Sequence, residues 1–180
     1  MKGLILFSHN MEDSEAIFTR DLLLRGGLSI QSFSFESRQV TTAYGLTLNV
    51  DLLASELGEV KNYDFLVIPG GKYVTMHPPF KKALQNLLSE FHRQNKLLAA
   101  ICAAPCFLDG LAILGNYTCY GNLFEEIKDG HYQRVHLVQD GNLITAQSAG
   151  YIMEFSLQII RTLLGEAKVE AVKKQLLLKI

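Results

Sequence analysis

The stretch Leu97-Leu98-Ala99-Ala100-Ile101-Cys102-Ala103-Ala104-Pro105 decides how the chain is read. It opens with five apolar residues in a row, the length of a strand. No polar residue interrupts them, so the strand is expected to be buried on both faces. One nucleophile follows, and then small residues that open a helix expected over Cys106 to Leu114 and stopped by Gly115. Small neighbours permit the tight strand-to-helix turn of a nucleophile elbow, which lifts a side chain out of the sheet. A helix N-terminus there would supply partial positive charge and free N–H groups, and both lower a thiol pKa. A cysteine simply packed among alanines fits the same spacing equally well.

Other segments fall into place around this one. Gly3 to Ser8 and Phe65 to Ile68 are further apolar runs of strand length, the second ending in Pro69-Gly70-Gly71. Between them, Ala16, Ile17, Leu22, Leu23 and Leu24 run at near-helical spacing, with Ser14 or Asp13 as N-cap and Gly26-Gly27 as the stop. Ile30 to Phe35 reads as a strand. Gln39 to Ala43 and Leu46 to Val50 read as a hairpin around Tyr44-Gly45, and Leu52-Leu53 opens a short helical or irregular stretch. Phe80 to Gln94 carries Leu84, Leu87, Leu88 and Phe91 at helical spacing. Tyr117 to Tyr120 reads as a short strand, and His136 to Gln139 pairs with Leu143 to Ala146. Helices over Tyr151 to Leu164 and Glu166 to Leu176 close the chain. Apolar strands alternating with helices predict an α/β fold, a doubly wound, mostly parallel sheet with helices on both faces. Ligands in such folds bind beyond the carboxyl ends of the strands. Three features land there: Ser8 to Glu15, Pro69-Gly70-Gly71, and Cys102.

Composition narrows the function. The 180 residues are 48% hydrophobic and 19% charged, enough apolar matter for a full core without disulfide or metal. Lys and Arg number 17 against 18 Asp and Glu, so no basic field exists for nucleic acid. The longest apolar run, Leu97 to Ala104, falls short of a membrane span, and no signal-peptide pattern is seen, which makes the cytoplasm the default compartment. The three cysteines, Cys102, Cys106 and Cys119, are odd in number and lack the spacing of a zinc site, so neither a disulfide framework nor a metal is expected. Cys106 is expected to face the core and Cys119 to sit in a strand.

The Gly70-Gly71 turn lets backbone approach a ligand closely. With the Ala103 N–H, the Gly71 N–H is suited to an oxyanion hole. At this point the chain resembles the ThiJ/PfpI family, also called the DJ-one superfamily, in its bacterial ThiJ-like branch. Ala99-Ala100-Ile101-Cys102-Ala103-Ala104-Pro105 is similar to the family's A-I-C-x-x-P motif. Tyr63-Asp64-Phe65-Leu66-Val67-Ile68-Pro69-Gly70-Gly71 resembles its strand ending in P-G-G. Glu15 and Asp21 keep the family's six-residue spacing, and Glu154-Phe155 fits its C-terminal helix.

The resemblance implies one flavodoxin-like, class I glutamine amidotransferase-like domain over residues 1–180, usually a homodimer and without cofactor. It implies that Cys102 is the reactive cysteine, that Glu15 is the acid hydrogen-bonded to it, and that Gly71 and Ala103 are the oxyanion donors. Two anions in one apolar pocket repel, so the acid should be protonated beside a thiolate and able to donate to the sulfur. Gly70, Tyr120, His9 and Tyr44 are further pocket candidates; Tyr120 stands where animal-type members have a histidine, and Tyr44 where some relatives have an arginine near the partner subunit's site. His77 is also expected on the pocket side. Ala103 stands where hydrolytic members have a histidine, which removes the most plausible base for a peptidase. Gln147-Ser148-Ala149-Gly150 replaces the family's Gly-Pro turn.

The activity implied is that of a cofactor-free glyoxalase or protein deglycase acting on small reactive carbonyls in stress protection. The alternatives are a redox-sensing stress protein or chaperone that works through oxidation of Cys102, and a cysteine peptidase.

Overall fold

The computed structural model describes residues 1–178. Its elements run, in chain order, β1 (Lys2–Leu6), α1 (Asp13–Arg25), β2 (Ser29–Ser34), β3 (Gln39–Thr41), β4 (Thr47–Asn49), β5 (Leu52–Leu53), β6 (Phe65–Ile68), α2 (Lys81–Arg93), β7 (Leu97–Ile101), β8 (Asn116–Tyr117), β9 (His131–Tyr132), β10 (Leu137–Asp140), β11 (Leu143–Ala146), α3 (Ile152–Leu164) and α4 (Glu166–Gln175). The main sheet has the order β10-β11-β7-β6-β1-β2-β5. Every pairing in it is parallel except β10 with β11. This is the α/β sheet that the apolar runs predict. β6 and β7 are buried along their whole length, as strands covered on both faces must be.

The chain moves outward from β1 in both directions, to β2 on one side and to β6 and β7 on the other. Right-handed crossovers going opposite ways put α1 and α2 on opposite faces. α3 packs beside α1, and α4 packs on α3. The reversal at β1 opens a crevice at the carboxyl ends of β1, β6 and β7. Close packing at the centre depends on Gly3, because a Cβ there would lie 2.3 Å from the Phe65 ring of the neighbouring strand.

Several local expectations are corrected. No α-helix forms over Cys106 to Leu114; only a 3-10 turn at Ala104–Phe107 does. The carboxylates of Asp109 and Asp129 take the backbone N–H groups instead. Asp129 accepts from Gly110 and Ala112 at 2.9 and 3.3 Å, and Asp109 from Lys128 and Asp129 at 2.9 and 3.1 Å. Gly110 and Ala112 both take positive φ, which no helix tolerates. Leu52–Leu53 is itself a two-residue edge strand on β2, and the short helical stretch it opens is a 3-10 turn at Ala54–Glu56. The strand expected over Tyr117 to Tyr120 stops at Tyr117 and pairs with β9 outside the main sheet. Cys119, fully buried, therefore lies beyond the strand rather than in it. The cap of α1 is neither Ser14 nor Asp13 but Glu12, whose carboxylate accepts from the Glu15 N–H at 2.6 Å. The hairpin at Tyr44-Gly45 forms as β3 and β4. The last two residues of the 1–180 domain expectation lie outside the described residues.

Candidate active site

Cys102 follows the last residue of β7 and adopts φ +64°, the left-handed region that L residues rarely enter. The surroundings over-determine it. Its N–H donates to the Ala146 carbonyl at the end of β11, and its carbonyl accepts from the Tyr120 N–H, both at 2.9 Å. Held on both sides, the residue turns its side chain out of the sheet as an elbow requires. The Ala103 N–H approaches the sulfur.

Glu15 comes from α1. Its buried face carries Glu15, Ala16, Thr19, Leu22 and Leu23, so a carboxyl occupies the first place on an otherwise largely apolar stripe. Glu15 is fully buried. Its Oε2 accepts the Gly70 N–H at 2.7 Å, and its Oε1 is buried without a protein partner in hydrogen-bonding geometry. The Cys102 thiol lies beside this carboxyl, and the Ala149 N–H is directed at it as well.

Burial raises the Glu15 pKa to about 7, and the negative charge of Glu12 adds to the rise. The thiol and the N–H groups of Gly70 and Ala149 pull in the opposite direction but do not win. Burial and the neighbouring Glu15 also push the Cys102 thiol up, well beyond its ordinary range, against the pull of the Ala103 N–H. The expected lowering by a helix N-terminus is corrected here, since a single 3-10 turn replaces the helix. The two groups titrate as a pair that holds one negative charge near neutrality and resists a second.

Gly70 is wedged between them. A Cβ on it would lie 2.6 Å from the Cys102 Cβ, 2.7 Å from Glu15 Oε2 and 3.0 Å from the Ala103 nitrogen. Gly71, at φ +124°, bridges to Met11. That bridge runs through the neighbours, with Glu12 N–H on the Gly70 carbonyl at 3.0 Å. Among the described residues the Gly71 N–H has no backbone acceptor. Tyr73, buried, ties the turn down by donating its hydroxyl to the Pro69 carbonyl at 2.7 Å.

A cavity of about 310 Å³ opens on the sulfur, lined by Gly71, Lys72, Thr75, Cys102, Ala103, Tyr120, Asn122 and Leu123. The structure thus brings together Cys102, Glu15, Gly70, Gly71, Ala103 and Tyr120. It does not bring in His9 or Tyr44. The His9 ring turns towards β3, where its Nδ1 accepts from the Thr41 N–H at 3.0 Å. Tyr44 sits exposed at the hairpin tip, its N–H on the Asp13 carboxylate at 3.2 Å. No histidine lines the cavity.

His77 lines instead a neighbouring cavity of about 260 Å³, together with Cys106, Lys81, Asp109 and Glu126. Cys106 packs on the core but opens there, a correction to its expected inward placement. Burial and Glu126 raise its thiol to about 11, and burial raises that of Cys119 to about 12. Lys72, Thr75, Asn122 and Leu123 were not legible as lining residues. Only Lys72 had a signal, as the residue directly after the Gly-Gly turn. Among the described residues no group of three or more His, Cys, Asp or Glu side chains could hold a metal.

Comparison with known proteins places the chain in a family. The model of the DJ-1/PfpI family matches residues 1–162. A glutathione-independent glyoxalase of Caenorhabditis elegans is 28% identical over 183 residues, spanning 97% of this chain and 95% of that protein. A deglycase of Thermococcus kodakarensis is 26% identical over 167 residues, 91% of this chain and 99% of its own. The crystal structure of Drosophila melanogaster DJ-1beta shares the fold at a TM-score of 0.89 and 26% identity, over 99% of this chain and 98% of that one. The family model runs from the first strand into α3 and the relatives match along the whole length, so the chain belongs to the DJ-1/PfpI family.

Proposed function

We propose that the protein converts small reactive dicarbonyls without a cofactor, as a glyoxalase or deglycase in stress protection. The observation that carries this is the pairing of an elbow thiol that lines a cavity with a fully buried carboxyl beneath it, whose pKa is raised to about 7. For methylglyoxal the Cys102 sulfur attacks the aldehyde carbon. An S–C bond forms, the carbonyl electron pair moves onto oxygen, which faces the Gly71 and Ala103 N–H groups, and the thiol proton passes by way of the Glu15 carboxylate to that oxygen, giving a hemithioacetal. Glu15, again a carboxylate, takes the proton from that carbon and returns it to the neighbouring carbon, while the hydroxyl proton moves across to the former ketone oxygen. The aldehyde carbon is thereby oxidised to a thioester while the ketone carbon is reduced to an alcohol, so no external oxidant is needed. Water then releases lactate and restores the thiol. A carboxyl that titrates near neutrality can accept and return a proton at working pH.

The names of two relatives, a glyoxalase and a deglycase, support this class of substrate. The test is lactate formation from methylglyoxal by the purified protein. Turnover that disappears in Cys102→Ala is expected, and no turnover of any small dicarbonyl rejects the proposal.

A second reading rests on the same donors. Peroxide could carry the Cys102 thiol to a sulfinate, whose oxygens would accept from Glu15 and the Ala103 N–H. Selective addition of two oxygens at Cys102 after mild peroxide would favour it, and equal oxidation of all three cysteines would reject it. The peptidase reading loses ground, because it needs a histidine beside the sulfur and the cavity has none. We further propose that the chain works as one domain and as a homodimer in the cytoplasm. The exposed apolar side chains Ile17 and Leu24 on α1 and Leu46 at the β3–β4 hairpin support the dimer, and three free thiols fit a reducing compartment.

A further inference from the structure

The cavity on Cys102 has room to spare for a three-carbon dicarbonyl. Its volume of about 310 Å³ corresponds to roughly ten water volumes, and methylglyoxal has five heavy atoms. What occupies the rest depends on the wall. Leu123, Gly71 and Ala103 give it an apolar or backbone surface, and Thr75, Tyr120 and Asn122 give it neutral polar groups. Lys72 is the only lining residue with a formal charge. It is exposed, and it makes no ion pair among the described residues. The negative charges that act on the sulfur belong to Glu15 and Glu12, both from the start of α1. Neither of them lines the cavity. The site is therefore electrically polarised, with acids beneath the sulfur and one lysine, outside any ion pair among the described residues, among the residues that line the cavity.

We propose that Lys72 selects dicarbonyls that carry a carboxylate at the end remote from the aldehyde, and holds that carboxylate while the aldehyde carbon sits on Cys102. This rests on the reading of Cys102 as a carbonyl-adding thiol and names the substrate class for it. The orientation follows from the charges. A carboxylate next to the reacting carbon would be repelled by the pair beneath the sulfur, and one several bonds away reaches the lysine. An aldehyde of this shape also gains two anchor points, which fixes its attack geometry as a three-carbon substrate cannot.

A suitable pair of probes is 4,5-dioxopentanoate and its methyl ester, which differ only in the charge. The enzyme converts the acid to 2-hydroxyglutarate by the same internal redox step, with the aldehyde carbon oxidised and the ketone carbon reduced. The quantity to read is the ratio of kcat/KM for the acid over the ester, because the amount of active enzyme cancels from it. The expected result is a ratio above one that falls about five-fold in Lys72→Met and is kept in Lys72→Arg, the size of one partly exposed ion pair. Raising salt from about 0.05 to about 0.5 M should lower the wild-type ratio towards that of the Met variant. A wild-type ratio of one, or a ratio unchanged in Lys72→Met, overturns the inference while leaving the dicarbonyl reading intact. No turnover of the acid, the ester or methylglyoxal overturns that reading and the inference with it.

Discussion

At the scale of single residues, the account depends on how closely Gly70 lets Cys102 and Glu15 approach each other. A side chain at Gly70 would overlap the Cys102 Cβ and the Glu15 carboxyl, and one of its neighbours there is rigid backbone. Gly70→Ala is expected to cost about 1–3 kcal/mol in stability, read by denaturant unfolding, and to displace Glu15 from its bond to the Gly70 N–H. A variant as stable and as active as wild type would show that the contact is loose. Gly70 was legible in the sequence as part of a Gly-Gly turn, but its role as a spacer between thiol and acid was not. Glu15 was singled out by its spacing to Asp21. In the structure Asp21 pairs with Arg25 at 2.7 Å on the exposed side of α1, so that spacing has no part in the site. The physical signal for Glu15 was the buried stripe itself, in which the helix spacing of Thr19, Leu22 and Leu23 leads back to a carboxyl.

At the scale of elements, the site is assembled by the ends of three strands and one helix start. The β-runs were readable because a strand covered on both faces must be apolar, as β6 and β7 are throughout and β1 is after Lys2. The segment after Cys102 was misread because Cys106 to Leu114 has helical composition. What stops a helix there is a set of side-chain acceptors, Asp109 and Asp129, that the pattern of apolar residues does not reveal. The loss matters for chemistry, because the thiol then lacks a full helix dipole and depends on the Ala103 N–H and on sharing charge with Glu15.

The start of α1 offers a second check at this scale. Glu12 caps the helix through the Glu15 N–H, and its charge raises the Glu15 pKa. Glu12→Ala removes both effects and should cost about 1 kcal/mol in thermal or denaturant unfolding. Glu12→Gln keeps a capping oxygen and removes the charge. It should lower the pKa of Glu15, as followed by NMR of the side-chain carboxyl. A Glu15 pKa unmoved in Glu12→Gln would mean that burial alone sets it.

At the scale of the whole molecule, the buried acid ties stability to pH. In the unfolded chain Glu15 ionises near 4.5, and in the folded protein at about 7. Between these values the folded state holds a proton that the unfolded state has lost. The sign is that of a raised carboxyl pKa: the contribution of Glu15 to stability is greatest below pH 4.5 and declines as pH rises through about 7. The shift corresponds to about 3 kcal/mol. The difference in unfolding free energy between wild type and Glu15→Gln should move against the wild type across that window and then level off. A difference that stays constant from pH 4 to 8 would contradict the raised pKa.

The most direct test of the shared charge in the Cys102–Glu15 pair is the pH dependence of kcat/KM for methylglyoxal. The wild type should show an inflection near pH 7, where the pair loses its first proton, and Glu15→Gln should lose that inflection together with most of the rate. An identical inflection in Glu15→Gln, or a wild-type profile flat from pH 5 to 9, would contradict the account.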